Sequence, residues 1–307
     1  MKKIYYYSHA RTALKHGILS IGLKKDDHIL IPEYICDVLL HPIYNIGLKP
    51  IFFPIRDNFE PNWNVMKSLT SKKTKALIMV HYFGQPQNIE QYVSFCKKNE
   101  LKLIEDNAHG HNGSYKGKKI GTFGDIGIAS PRKIININSG GLLYIDSKYK
   151  VQDNFNTYKP TFMRSLNIST NLKIKIKKIF KKRPSYEDPT AFREVAISDY
   201  LIDKKSYNTL LNNDWDLLIK ERRKQYDKLN TFVLESSLKP VYKSLSADCN
   251  PWCFPALAKD QKEAIRWFDW GWKNNKEIFS WPTLPKEILT KSDKCIELWK
   301  KLICFRI

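Results

Sequence analysis

Along the first half of the chain, short apolar runs alternate with stretches in which apolar residues recur every three or four positions. His28-Ile29-Leu30-Ile31, Pro50-Ile51-Phe52-Phe53, Ala76-Leu77-Ile78-Met79-Val80 and Leu101-Lys102-Leu103-Ile104 read as buried strands. Between them, residues 11–23, 35–46, 62–71 and 88–99 carry helical spacing; in the last, Ile89, Tyr92, Val93 and Cys96 fall on one face. Strand and helix in alternation predict βαβ units, hence an α/β fold with a mostly parallel sheet covered by helices on both faces. Ligands of such sheets sit at the carboxyl ends of the strands. The loops after Ile31, Val80, Ile104 and Ala129 are therefore where chemistry is sought.

The second half has a different texture. Gly113 to Gly124 is glycine-rich and basic, as in a hairpin or surface loop, and Asp214 to Leu229 reads as a long charged helix. Pro251 to Ile307 reads as a smaller α/β unit, with a strand near Trp252–Leu257 and a helix near Gln261–Trp272. Residues 1–228 are thus expected to form a large domain, with a basic connector at about 165–185, and 229–307 a small, shortened one. Within the connector, Leu172, Ile176, Ile179 and Phe180 line one face of a helix whose remainder carries Lys173, Lys177 and Lys181. That pattern suits weak peripheral contact with an anionic membrane, and equally a strand or helix packing on its own domain.

Composition narrows the classes. At 307 residues the chain has room for about two domains, and 42% hydrophobic residues supply a core that excludes wholesale disorder. No run approaches the ~18 apolar residues of a membrane span. Arg11, Lys15 and His16 interrupt any leader-like segment near the start, and six cysteines are too sparse for a disulfide scaffold, so a reduced, cytoplasmic setting is expected. The formal charge is +21, yet it comes from 42 Lys against 10 Arg, spread along the chain. Nucleic-acid readers lean on Arg clustered in a binding module. A drift of the whole composition explains the charge better, and no nucleic-acid partner is expected.

The densest polar constellation is Ile104-Glu105-Asp106-Asn107-Ala108-His109-Gly110-His111, directly after a predicted strand. Asp-x-x-His-x-His offers carboxylate and imidazole to a metal, but three ligands in six residues equally make an ordinary polar loop, and no metal is assigned. Downstream, Ser130-Pro131-Arg132-Lys133 follows the apolar Ile126–Ala129, and Gly140-Gly141 precedes another strand. Alone, Ser-x-x-Lys is a turn.

Together these segments resemble the DegT-type nucleotide-sugar aminotransferases, a branch of the fold-type I pyridoxal-phosphate (PLP) enzymes. The resemblance rests on Val80-His81-Tyr82-Phe83-Gly84, on Ile104 to His109, and on Lys116-Gly117-Lys118-Lys119-Ile120-Gly121-Thr122-Phe123-Gly124-Asp125. Ser130, Lys133 and Gly140-Gly141 then follow in the family's order. Tyr5 to Leu14 is similar to the family's opening helix, Ile31-Pro32-Glu33-Tyr34 to its P-x-[YF] turn, and Trp281-Pro282 with Leu302-Ile303-Cys304 to its closing segment. Three departures stand out: Ser130 precedes Lys133 by three positions rather than about five, Ala10 replaces glycine, and Arg11 replaces threonine or serine.

The resemblance implies a large PLP-binding domain with a smaller C-terminal α/β domain, and a role for each site residue. Lys133 would hold PLP as a Schiff base and shuttle the proton. Asp106 would keep the pyridine nitrogen protonated so that the ring acts as an electron sink. His109 would touch the ring hydroxyl where the family usually has glutamine, and Tyr34 would stack on the ring. Ser130 and the Ala10-Arg11 helix start would hold the phosphate, with Arg11 read either as a phosphate partner or as a helix-end surface charge. His81 reads as packing behind the cofactor rather than as acid or base. Cys249 and Cys253 read as buried thiols, and Trp267, Trp270 and Trp272 as small-domain core or dimer contact. The implied enzyme is a homodimeric transaminase moving an amino group from glutamate to a nucleotide-linked keto sugar for surface polysaccharide or lipopolysaccharide synthesis. The alternatives are a non-catalytic PLP-fold binding or regulatory protein, and a PLP-dependent sugar dehydratase, against which Lys133 counts because that branch has histidine there.

Overall fold

The structure is a computed structural model describing residues 2–160, 197 and 199–307. Its first part contains strands β1 (Lys2–Tyr7), β2 (His28–Pro32), β3 (Lys49–Phe53), β4 (Thr74–Val80) and β5 (Lys102–Asn107). A short hairpin, β6 (Ser114–Tyr115) with β7 (Lys118–Lys119), is followed by β8 (Ile126–Ala129) and β9 (Gly141–Asp146). Seven of these form one sheet in the order β1-β9-β8-β5-β4-β2-β3. The five strands β8, β5, β4, β2 and β3 run parallel, whereas β9 is antiparallel to β8 and β1 to β9. Strands β8 and β9 are apolar and buried along nearly their whole length, as a sheet covered on both faces requires.

Helices α1 (Ala10–Ser20), α2 (Leu40–Ile46), α3 (Trp63–Leu69) and α4 (Ile89–Lys98) fall where the apolar spacing predicts them. Asn62 and Asn88 cap α3 and α4 by accepting the amides of Val65 and Gln91. On α4, Ile89, Tyr92 and Cys96 are buried, but Val93 is 38% exposed, so the stripe is narrower than the sequence pattern implies. A second correction concerns the start. Tyr5-Tyr6-Tyr7 is not part of an opening helix; it is the end of β1, paired along β9, and the helix begins at Ala10. Tyrosines favour a pleated, half-buried surface, and β9 would otherwise have an unpaired edge.

The rest of the chain supplies α5 (Lys204–Leu211), α6 (Trp215–Leu234), β10 (Lys239–Pro240), β11 (Cys253–Leu257), α7 (Gln261–Lys273), β12 (Ile278–Phe279), α8 (Lys286–Leu289), α9 (Asp293–Lys301) and β13 (Leu302–Arg306). Strands β10 to β13 make a four-stranded antiparallel sheet in the order β10-β11-β13-β12. Helix α6 runs unbroken across residue 228, where the sequence reading divides the chain. One core joins α6 to this sheet through Tyr226, Val233, Phe254 and Phe305, with Trp267 and Trp270 packed against it. Trp252, Cys253, Trp299 and Leu302 instead join the core of the large sheet, which seats the C-terminal part on the ends of the parallel strands. No helix among the described residues is long and apolar enough to cross a membrane. The basic connector and its amphipathic tract lie outside the described residues.

Candidate active site

Strand β5 ends in two consecutive carboxylates, and the two-residue period of a strand sends them to opposite faces. Glu105 is fully buried and saturated. It accepts the amides of Gly121 (2.9 Å), Phe123 and Gly124, and His81 Nε2 lies 3.2 Å from its Oε2. Its work is architectural: it gathers the Gly121–Asp125 loop onto the strand end. His81 also accepts the amide of Gln87 on Nδ1 (3.2 Å), so both ring nitrogens are engaged in packing. Asp106 is buried too but only partly satisfied. Its Oδ1 accepts the amide of Ala108 at 2.9 Å, and no described residue hydrogen-bonds its Oδ2. Burial raises its pKa, and the positive charge of Lys133 works against that rise.

His109, three residues on, is 3% exposed. The amide of Phe83 donates to its Nδ1 at 3.1 Å, which leaves the proton of the neutral ring on Nε2. Burial, helped by the nearby Lys133 charge, holds its pKa well below the ordinary value, so the ring is a neutral donor. His111 faces elsewhere: its Nδ1 is 3.3 Å from the Tyr144 hydroxyl and its ring meets Trp215 edge-on. Asp106, His109 and His111 do not converge, and no metal-holding group occurs among the described residues.

Lys133 closes a single 3₁₀ turn, Pro131–Lys133, opened by Ser130 after β8. Its Nζ has no hydrogen bond or ion pair with any described residue. It lies instead over two indoles, 4.9 Å from the Trp252 ring centre and 5.9 Å from that of Trp281. Burial lowers its pKa, against the opposing pull of Cys36, Asp106 and Cys253. Ser130 is buried with no hydrogen bond on its hydroxyl from the described residues. In register, Ala129 faces Leu142, so Ser130 comes beside Gly141, where α1 also begins. A Cβ on Gly141 would stand 2.0 Å from the His9 carbonyl carbon and 2.2 Å from the Ala10 nitrogen; glycine alone lets β9 pass beneath the helix start. No side chain caps α1 and its first turn holds no acid, so the positive end of its dipole lies beside Ser130; the Thr12 and Ala13 amides donate to the His9 carbonyl at 3.1 Å.

The roof comes from the C-terminal part. Trp252 lies parallel to His109 (4.2 Å between ring centres, 21°), and Trp281 meets His109 edge-on at 4.7 Å. Gly84, at φ +87°, admits this segment, since a Cβ there would lie 2.2 Å from the Asn250 carbonyl oxygen. The Trp252 amide then donates to the Phe83 carbonyl at 2.8 Å. From α6, the buried Arg222 grips the carbonyls of Pro251 (2.8 Å) and Trp252 (2.7 Å). Tyr34 is not a stacking residue: it is fully buried among Phe59, Tyr82 and Trp281, and its hydroxyl donates to the Trp281 carbonyl at 2.6 Å. The aromatic faces that lie against Lys133 are those of Trp252 and Trp281. Only the position of Trp281 beside Pro282 in a family-like segment hinted at this, and nothing local to Trp252 did. Cys249 and Cys253 are buried, with Arg223 donating to the Cys249 sulfur at 3.3 Å.

These residues fit PLP. The half-satisfied buried carboxylate of Asp106 suits a protonated pyridine nitrogen, the His109 Nε2–H a ring hydroxyl, the unpaired Lys133 amine an aldehyde, and Ser130 with the start of α1 a phosphate.

Comparison with known proteins agrees. The sequence profile of the DegT/DnrJ/EryC1/StrS aminotransferase family matches residues 6–158. Over 147 residues the chain is 32% identical to a GDP-perosamine synthase of Escherichia coli O157:H7, covering 46% of this chain and 40% of that one. A GDP-perosamine synthase of Vibrio cholerae is 30% identical over 143 residues, 46% and 39% of the two chains. The matches thus span well under half the length of these relatives. Among solved structures, a Streptococcus pneumoniae protein described as a sugar aminotransferase, in its PLP form, superposes with a TM-score of 0.73 at 16% identity, over 99% of this chain and 81% of that one. The Helicobacter pylori aminotransferase of pseudoaminic acid biosynthesis gives 0.71 at 15% identity, over 100% and 81%.

Proposed function

We propose, for a chain that belongs through residues 6–158 to the DegT/DnrJ/EryC1/StrS aminotransferase family, that it is a PLP-dependent transaminase acting on a nucleotide-linked keto sugar. The observation that carries this reading is the Lys133 amine, half-buried and without a hydrogen bond or ion pair among the described residues, over the same two indoles that pack on the neutral donor His109 and within the field of Asp106. Bound there, PLP supplies an electron sink that lets an amino group pass from a donor to a keto acceptor. Asp106 would keep the proton on the pyridine nitrogen, and its desolvation would strengthen that pairing. His109 Nε2 would donate to the ring hydroxyl. The hydroxyl of Ser130 and the start of α1 would hold the phosphate. Lys133 Nζ would hold the aldehyde and carry a proton at the substrate carbon; its lowered pKa favours the nucleophilic neutral amine.

Glutamate as donor, a homodimer, a cytoplasmic setting and a place in surface polysaccharide synthesis complete the proposal, supported by the family and by the nucleotide-sugar enzymes among the relatives. The test is direct. Purified protein given PLP develops visible absorbance; borohydride abolishes it and leaves the pyridoxyl label on the peptide carrying Lys133. Glutamate then converts the unreduced protein to the amino form of the cofactor. A label on a different lysine, or no absorbance change with any amino donor, overturns the proposal.

A further inference from the structure

A half-buried lysine amine ordinarily finds a carboxylate. Lys133 does not: it has two indole faces, at 4.9 and 5.9 Å, and no hydrogen bond or ion pair with a described residue. Both indoles are themselves held. Arg222 donates to the carbonyls that flank Trp252, its own and that of Pro251, the Trp252 ring lies flat on His109, and Tyr34 donates to the Trp281 carbonyl. We propose that Trp252 and Trp281 are positioning residues that hold the Lys133 ammonium by cation–π attraction whenever that amine carries no covalent partner, a role whose catalytic meaning rests on the transaminase reading above.

The physical case is one of competing needs. In a transamination the lysine is set free for half of each cycle and must stay near the carbon atoms it serves, although its stem has four rotatable bonds. A carboxylate in contact would anchor it but would also hold its proton tightly. An aromatic face attracts the cation through its ring quadrupole and offers no lone pair to keep the proton. The other groups facing the amine are Cys36 after β2, Asp106 on β5, His109 beyond it, and Cys253 on β11. Cys36 is a neutral thiol, pushed up to about 11 by burial, and His109 is neutral, so Asp106 is the carboxyl group among them that faces the amine.

The measurement is made on the cofactor-free chain, so it does not depend on activity. Brief pulses of fluorodinitrobenzene across a pH series, read by mass on the Lys133 peptide, give the protonation midpoint of that amine. The midpoint is the readout: opening the roof rehydrates the amine, which by itself raises the midpoint, so a fall reports the lost ring. Trp252→Leu should lower the midpoint by about one pH unit, the scale of a desolvated cation–π contact. Trp252→Phe should restore most of it, and Trp281→Leu should shift it less, in the same direction. Fluorinated tryptophans in the parent chain preserve shape while weakening the ring quadrupole, so the midpoint should fall stepwise with fluorine number even if Trp252→Leu fails to fold. An unchanged midpoint across the fluorinated series, or equal shifts in the Leu and Phe variants, overturns the inference. Failure of borohydride to label Lys133 in the PLP-loaded parent overturns the transaminase reading instead, and the two results are read on separate samples.

Discussion

Neighbouring carboxylates at the end of β5 divide their labour by satisfaction. Glu105 has a partner at every turn, whereas Asp106 keeps an oxygen with none among the described residues. A buried, half-satisfied carboxylate is costly for folding alone, which is the condition the proposed cofactor would relieve. Asp106→Asn preserves shape and removes the charge; on the proposed chemistry it lowers turnover about a thousandfold, some 4 kcal/mol of transition-state stabilisation, while the protein still folds. Steady-state rates beside a thermal melt check this, and near-normal turnover in the amide variant would remove the role assigned to Asp106. His109→Gln keeps a donor toward the same position and should retain PLP binding within about tenfold, measured by cofactor titration.

At the scale of elements, glycine decides how closely pieces approach. Gly141→Ala would drive a methyl into the backbone at His9 and Ala10, which cannot yield without parting α1 from β9. A loss of about 3 kcal/mol or more in denaturant unfolding is expected, with weakened phosphate retention in whatever folds. Much at this level was legible in the sequence. The parallel strands and α1, α3 and α4 follow from apolar runs and their spacing, and Lys133, Asp106, His109 and Ser130 stand in motifs that are contiguous and ordered. The illegible parts depend on distant partners. β1 looked helical because only pairing with β9, more than a hundred residues later, makes Tyr5-Tyr6-Tyr7 a strand. Tyr34 sits in the right turn, but its hydroxyl is claimed by a carbonyl 247 positions away. Trp252 acquires its place through Arg222, Phe83 and His109, none of them near it in sequence.

For the molecule as a whole, buried neutral histidines set the response to acid. Burial takes His111 down to about 3 and His109 well below its ordinary value. In the unfolded chain both titrate near 6.5. Between those values the unfolded state binds protons that the native state refuses, so stability falls as pH drops below about 6.5, by roughly 1.4 kcal/mol per pH unit for each ring. Asp106, whose pKa is raised, works the other way as it protonates. Urea unfolding at pH 7 and pH 5 should show a net loss, and His111→Gln should make that loss about 2 kcal/mol smaller; an identical loss in parent and variant would contradict it. The edge pairing of β1 with β9 also has a consequence during synthesis. Lys2 ends opposite Asp146 and Tyr7 opposite Gly141, so β1 is made before every other strand of the large sheet and pairs with the one made last. At about 5–20 residues per second, three consecutive tyrosines wait on the order of ten seconds with an open hydrogen-bonding edge. Synthesis is thus a moment of exposure for this segment, and a chaperone that shields nascent chains has a defined stretch to guard.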